Sequence, residues 1–244
     1  MKLKHAAAIS TTIVLVFGIA IIFPFFLRSP KPEQKVMLVF DVLHDDKVKG
    51  WCYNLSSILE NQNVKATVFI VGKVAENNPE SVSCFGQKID VGSLTYNYSN
   101  LTSISDYSLQ LEEVRKGKQA VDDAGNLYSR LFKAPFGSTD DNIYSLLSRC
   151  DILADFSYRT HYNLYLKDKF IRFEATVYDG SSHSANFFSL LPKTSEPIII
   201  VFNDTCSTAY IEKFISEIKN SEVDLVNASE VAGNNLTLRG DCQV

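Results

Sequence analysis

From residue 35 onward the chain alternates between two hydrophobic patterns. Lys35-Val-Met-Leu-Val-Phe-Asp41 and Val64 to Val71 (Val-Lys-Ala-Thr-Val-Phe-Ile-Val) are nearly continuous apolar runs. Runs without polar alternation mark strands buried on both faces of a parallel sheet. Between them, Cys52 to Gln62 carries Leu55, Ile58 and Leu59 on one helical face. Further strands are predicted at Ile89–Val91, Leu131–Ala134, Ile152–Phe156, Ile198–Phe202 and Val223–Val226. Helices are predicted over Ser105–Tyr128, Thr139–Cys150 and Tyr210–Lys219. In the first of these, Leu109, Val114, Val121, Ala124 and Tyr128 recur at helical spacing, and Ser105 or Asp106 stands where a cap belongs. The pattern weakens between Thr160 and Leu191, where Phe170–Phe173 and Ala175–Tyr178 are the candidate strands. Strands alternating with helices demand right-handed crossovers and a parallel sheet. About seven such units within roughly 210 residues fit a closed or nearly closed (β/α) barrel better than an open sheet.

The first 34 residues read differently. A short flank, residues 1–5, holds Lys2, Lys4 and His5, and an uncharged apolar run follows from Ala6 to Leu27. At about 1.5 Å per residue this run spans a hydrocarbon core of about 30 Å. A cleavable signal peptide would have a shorter apolar stretch and a small-residue cleavage site. The run ends instead in Phe-Pro-Phe-Phe-Leu-Arg28, so residues 6–27 are read as an uncleaved signal anchor. Residues 28–34, with Pro30 and Pro32, form an extended linker, and one domain occupies 35–244. This arrangement predicts a single-pass protein at the cell membrane with its main domain outside the cytoplasm.

Charge and cysteine content narrow the class further. With 24 basic and 28 acidic residues, the net charge of -4 offers no broad basic surface, and nucleic acid is excluded as a partner. Asn-x-Ser/Thr sequons at Asn54, Asn97, Asn100, Asn203, Asn227 and Asn235 agree with an outside location and a glycoprotein. The five cysteines allow either two disulfides with one thiol over or a set of buried free thiols. No Cys-x-x-Cys pair exists that would mark a zinc knuckle.

In a parallel sheet with crossover helices, a site forms from the loops at the carboxyl ends of the strands. Asp41, the loop 92–101, Pro135 to Gly137 and Asn203-Asp204 all stand at such ends. The segment Ile89-Asp-Val-Gly-Ser-Leu-Thr-Tyr-Asn-Tyr-Ser-Asn-Leu101 resembles the second motif of the polysaccharide deacetylases (the NodB-homology domain, carbohydrate esterase family 4). Gly92, Thr95, Tyr96, Asn100 and Leu101 fall on matching positions, whereas the two metal-binding histidines of that motif are replaced by Leu94 and Tyr98. Val39-Phe40-Asp41-Val42 resembles the family's Thr-Phe-Asp-Asp: Asp41 keeps the position of the catalytic base, and Val42 replaces a metal ligand. Lys65 to Phe69 resembles the following strand of the family. Phe132-Lys-Ala-Pro-Phe-Gly137 is similar to the motif whose arginine orients the base, here Lys133. Asp155-Phe-Ser157 matches loosely a segment that supplies a pocket-lining acid and aromatic. Ile199 to Asp204 resembles the last motif, with Asn203 at the position of the histidine general acid.

The resemblance therefore implies the fold, a distorted (β/α) barrel behind one transmembrane helix, and puts the chemistry in question. The family's reaction needs a metal to polarise the acetamide carbonyl and activate water, a base, and an acid for the leaving amine. Val42 and Leu94 have no ligand atom, Tyr98 would need to be a phenolate, and Asn203 has no titratable proton. The expectation is a membrane-anchored polysaccharide deacetylase-like protein without catalysis and without a metal cofactor. Its cleft, lined by Tyr96, Tyr98, Pro135, Phe136, Asp155 and Tyr158, would bind a glycan or envelope polysaccharide. One alternative is an active carbohydrate N-deacetylase holding zinc or another divalent metal on Asp41, His44 and Asp46, with His161 or His183 as distant reserves. The other is a structural ectodomain whose aromatics close the mouth.

Overall fold

The computed structural model describes residues 34–157, 161–166, 169–174, 176–191, 194, 197–221 and 223–239, with 161–166 and 169–174 in backbone only. The anchor and most of the linker, Tyr158 and Cys242 lie outside the described residues. The described residues belong to one compact unit that begins at Gln34, so the first strand takes up the last residue assigned to the linker. Among these residues no helix is long and apolar enough to cross a membrane.

Nine strands follow one hydrogen-bonded path. The first strand, β1 (Gln34–Val42), pairs in parallel with β2 (Ala66–Val71) through Val39–Val42. On from β2 come β3 (Ile89–Leu94), β5 (Leu131–Phe132) and β6 (Ala154–Asp155), all parallel. An antiparallel hairpin, β7 (His161–Leu166) and β8 (Lys169–Glu174), ends this side. On the other side β1 pairs with β10 (Ile198–Asn203), which pairs with β9 (Thr176–Asp179). A tenth strand, β11 (Val223–Val226), pairs with β1 along Gln34–Met37. The short β4 (Leu127–Ser129) and β12 (Thr237–Arg239) make a separate antiparallel pair.

The result is an α/β curled parallel half-barrel with helices packed around it, in keeping with the expected deacetylase barrel. The path runs from β8 to β9 without a ladder between these two among the described residues. That differs from a closed barrel. The weakly patterned stretch after Thr160 spends two strands on an antiparallel hairpin, and only β9 returns to the parallel sheet.

The continuous apolar runs are buried as their pattern requires. Every residue of β2 and β3 is buried, and in β1 only Lys35 is exposed. The helices cover the sheet with one stripe each: Leu55 and Leu59 from α1 (Tyr53–Asn61), and Val114 and Val121 from α4 (Tyr107–Gly125). Ile143, Leu146 and Leu147 do the same from α5 (Asp141–Arg149), and Ile211, Phe214, Ile215 and Ile218 from α7 (Thr208–Lys219). The expected cap is Asp106, whose carboxylate accepts the Ser108 and Leu109 amides at 2.7 and 3.3 Å. Leu109 is a correction: it is 52% exposed, and Gln110 turns inward instead. The Gln110 carboxamide is satisfied there by donating to the carbonyls of Leu101 and Ile104, at 3.0 and 2.9 Å.

Gly72 starts a helix, α2 (Gly72–Asn77), directly after β2. A Cβ on Gly72 would stand 2.6 Å from the Gly117 Cα, and one on Gly117 would stand 2.7 Å from the Thr95 carbonyl carbon. The two glycines let α2, α4 and the strand-end loop carrying Thr95 and Tyr96 approach backbone to backbone. Rigid backbone leaves no soft neighbour to move aside. Gly117→Ala is therefore expected to cost about 1–3 kcal/mol despite its better helix propensity. Thermal unfolding should show a fall of several degrees; an unchanged or raised midpoint would contradict this packing.

Candidate functional site

At the carboxyl ends of β1, β5 and β10 stand four polar side chains, three of them buried: Asp41, Lys133 and Asp204, with Asn203 exposed beside them. Asp41 stands beside Asn203 in the β1–β10 register. Strand alternation puts Asp41 and Val42 on opposite faces of the sheet, with Val42 fully buried. Asp41 is itself only 8% exposed. Lys133, 3% exposed at the end of β5, donates from Nζ to Asp41 Oδ2. The other oxygen, Oδ1, is shielded from water and has no hydrogen-bond partner among the described residues.

Burial raises the Asp41 carboxyl above its ordinary value; Lys133 opposes the shift and the charge of Asp204 adds to it. Burial likewise pushes the Lys133 ammonium down, to about 8, against the pull of Asp41. Each group thus loses hydration on entering the wall and recovers part of the loss from the other.

Asp204 is a residue whose role the sequence reading did not assign. Its carboxylate is fully buried, Oδ2 accepting the amides of Leu43 and His44 at 2.7 and 2.8 Å. Oδ1 takes Nδ1 of His44 at 2.8 Å, and the Asp204 amide donates to the Asp41 carbonyl at 3.0 Å. The available signal is an acid two residues past the predicted strand 198–202, beside the end of the strand that carries Asp41. Asn203 points its carboxamide oxygen at its own turn, accepting from Thr205 N at 3.0 Å and from the Thr205 hydroxyl.

The alternative metal set is not assembled. His44 is turned onto Asp204, Asp41 is covered by Lys133, and Asp46, 73% exposed, lies beside Lys47. Asp45 accepts from Asn77 and Asn78 at the end of α2. The short helical turn starting at Asp45 swings these carboxylates outward. Among the described residues no group of three His, Cys, Asp or Glu side chains is placed to hold a metal ion. His183 lies in an aromatic cluster with Tyr178 and Phe187, at ring distances of 5.6 and 4.5 Å. The side chain of His161 is outside the described residues. The donor set that the family's metal would require therefore does not fit these residues.

Leu94 is fully buried at the end of β3. Tyr98 is half-buried, with φ of 58°, and its ring packs 5.2 Å from that of Phe136, which has φ of 61°. Both residues occupy the left-handed region, a costly conformation for an aromatic side chain that the surrounding contacts must impose. Burial, then the charges of Asp41 and Asp204, raise the Tyr98 hydroxyl above its ordinary value, which opposes phenolate formation. Phe136 is 69% exposed, while Pro135 is buried in the same turn. Asn100, Thr102 and Ser138 tie that turn to the 92–101 loop, the Ser138 hydroxyl lying 2.6 Å from that of Thr102 and donating to Asn100.

Tyr96 departs from the expected cleft. It faces α2 and α4, its hydroxyl donating to Glu76 and its ring 5.7 Å beneath Lys116. There it lines a surface cavity of about 470 Å³ together with Arg115 and Gln119. Successive residues of an extended segment point to opposite sides, so Tyr96 and Tyr98 share a face only if the loop stays regular, and the positive φ at Tyr98 breaks that regularity. Asp155 is buried and accepts from the amide and hydroxyl of Ser157, whose oxygen in turn accepts the Ala134 amide at 2.6 Å. It braces the segment that carries Lys133. Cys52, Cys84, Cys150 and Cys206 are free thiols.

A family model described as polysaccharide deacetylase matches residues 28–154. No curated protein matches the chain in sequence. Among solved structures, a family 4 carbohydrate esterase from Streptomyces lividans, in complex with acetate, aligns with a TM-score of 0.57 at 19% identity, covering 77% of this chain and 86% of that one. BA3943, a pseudoenzyme of carbohydrate esterase family 4 from Bacillus anthracis, aligns at 0.61 and 17% identity, covering 82% and 66%. A mutant of that pseudoenzyme is described as having restored enzymatic activity. The peptidoglycan deacetylase PdaC from Bacillus subtilis aligns at 0.60 and 14% identity, covering 82% and 91%. At such identities the likeness is one of fold.

Removing Lys133 would leave Asp41 with only the effects that raise its carboxyl. The folded Lys133→Met variant then keeps a proton that the unfolded chain releases above about pH 4. Its deficit relative to wild type is expected to be small near pH 4 and to grow to about 3–5 kcal/mol by pH 7. The Asp41→Asn/Lys133→Met pair should recover much of it. Denaturant unfolding of all three proteins at both pH values reads this directly; a deficit independent of pH would remove the buried carboxylate from the explanation.

Proposed function

Because the chain belongs to the polysaccharide deacetylase family, whose model matches more than half of it, we propose that it is a deacetylase-like protein that holds a saccharide at the strand ends without hydrolysing it. We place it outside the cytoplasm, on a membrane anchor formed by residues 6–27. The observation that carries the reading is the Asp41–Lys133 pair. The carboxylate at the base position is retained, buried and held by an ammonium, with one oxygen left without a partner among the described residues. An acceptor kept in that state is suited to a ligand donor rather than to a packed core.

Hydrolysis is disfavoured by the chemistry of the neighbouring positions. Val42 and Leu94 are buried hydrocarbon, and the Tyr98 hydroxyl is held protonated by burial and by two acids. Asn203 has no proton to give a leaving amine. The Bacillus anthracis relative, described as a pseudoenzyme, is a precedent for this fold without activity.

A second reading has its own support. Asp41 Oδ1 is out of reach of water and Leu94 is fully buried, which favours a structural domain with a closed mouth. In that case the Tyr98–Phe136 contact would be a permanent plug.

Metal and acetate measurements decide between loss and retention of the family's reaction. After zinc loading and desalting, the wild-type protein is expected to carry less than about 0.1 equivalent of metal. It should release no acetate from an N-acetylglucosamine oligomer. A variant with Val42→Asp, Leu94→His, Tyr98→His, Asn203→His and Lys133→Arg should gain zinc towards one equivalent. Near-stoichiometric zinc with acetate release by the wild type would overturn the proposal.

A further inference from the structure

We propose that the groove between α4, β4 and α5 is a binding site for an acidic saccharide, whose carboxylates are received by Arg115 and Arg149. It shares no residue with the strand ends and stands whether or not they hold a ligand.

The groove is a surface cavity of about 630 Å³, within the range of small-molecule sites. Leu111, Arg115 and Lys118 enter it from one stripe of α4, and Arg149 and Cys150 from the end of α5. The three cations converge on one place. Burial raises the Cys150 thiol above its ordinary value, and the charges of Lys118, Arg115 and Arg149 all oppose that rise. Lys118 is the buried member, 7% exposed, with Nζ on Asp122 and 3.8 Å from the centre of the Tyr128 ring.

Charge in the groove is satisfied unevenly. Asp122 is paired with Lys118 and also accepts the Ser129 amide at 2.7 Å. Asp151 accepts from the Tyr128 hydroxyl at 2.9 Å and lies 3.4 Å from Arg130. Glu112, one turn before Arg115, is held by Lys116 at 2.7 Å. Arg115 itself has no ion pair or side-chain hydrogen bond among the described residues, and Arg149 has only the Tyr107 hydroxyl, at 3.0 Å. Asp123, exposed and also without a side-chain partner among the described residues, lies eight residues beyond Arg115. That is about 12 Å along the helix. The arginine end of the groove is therefore left with uncompensated positive charge.

A guanidinium carries five donors in a planar fork that matches a carboxylate, and both arginines keep donors to spare. Their surroundings suit an anion carried on a sugar. Tyr107 opens α4 and Tyr128 follows its end, and both rings are exposed, by 40% and 41%. Such rings give the apolar face of a sugar a surface to pack on while their hydroxyls stay in water. Arg115 and Gln119 also line the cavity of about 470 Å³ beside Tyr96, so a ligand of several units meets Arg115 from either side of α4.

Calorimetric titration of the full-length protein at pH 7 tests this with three probes. They are a tetramer of galacturonic acid, the same tetramer with every carboxylate methyl-esterified, and inorganic phosphate. The acid tetramer is expected to bind at least about tenfold more tightly than the ester, and more weakly as salt is raised. Arg115→Gln/Arg149→Gln should remove that preference. Both side chains are exposed, so the unfolding midpoint of the double variant should stay within about 2 °C of wild type. Equal affinity for acid and ester, binding of neither, or a preference that survives the double variant would overturn the proposal. Displacement of the tetramer by an equal concentration of phosphate would reduce the groove to a simple anion site and overturn the saccharide assignment.

Discussion

The buried pairing of Asp41 with Lys133 is the constraint around which the strand ends are arranged. Two charges out of water are costly unless geometry and neighbouring groups compensate, and losing either partner costs more than losing both. Lys133 must therefore stay at the end of β5, which is braced by Asp155, Ser157 and the Ala134 amide. Asp41 must stay at the end of β1, where β10 and β2 hold it in register on either side. The ion pair also links the end of β1 to the end of β5 across β2 and β3.

Asp204 performs a related task one layer away. Its single carboxylate closes the β1 loop onto β10 by satisfying two amides and an imidazole. A loop that in a metal enzyme could be ordered by ligation is here ordered by hydrogen bonds to one buried acid. The aromatic pair Tyr98 and Phe136 completes the mouth at the price of two left-handed residues. Strain of that kind persists only where tight neighbours impose it, and the Asn100–Thr102–Ser138 cluster is such a neighbour. The family frame around Leu94 and Tyr98 is therefore intelligible without a metal: Asn100 holds the loop to the next turn, and Gly92 leaves room for Phe69 and Leu131 beneath it.

The positions of the motif residues in the fold are legible in outline: Asp41, Leu94, Lys133 and Asn203 stand at strand ends, with Tyr98 and Phe136 in the loops that follow. Tyr96 was grouped with Tyr98 because both are aromatic and two residues apart, yet it points to the other side of the loop and pairs with Glu76. His44 and Asp46 were paired by sequence proximity, whereas a short helical turn separates their directions. Leu109 was assigned to the buried stripe of its helix, and a glutamine with two carbonyl partners took the inward place.

Taken alone, the sequence determined the α/β class, the buried strands β1, β2 and β3 and the absence of a ligand atom on the side chains of Val42 and Leu94. These are local properties: continuous apolar runs specify buried strands whatever surrounds them, and a hydrocarbon side chain cannot ligate in any fold. Tertiary structure decided what no local pattern encodes. It set the Asp41–Lys133 contact across 92 residues, the capture of His44 by Asp204 across 160, and the open path from β8 to β9. Such pairings depend on which loop ends meet and on which buried polar group finds its partner first satisfied. That is settled only when the sheet has curled and brought distant strand ends to one mouth.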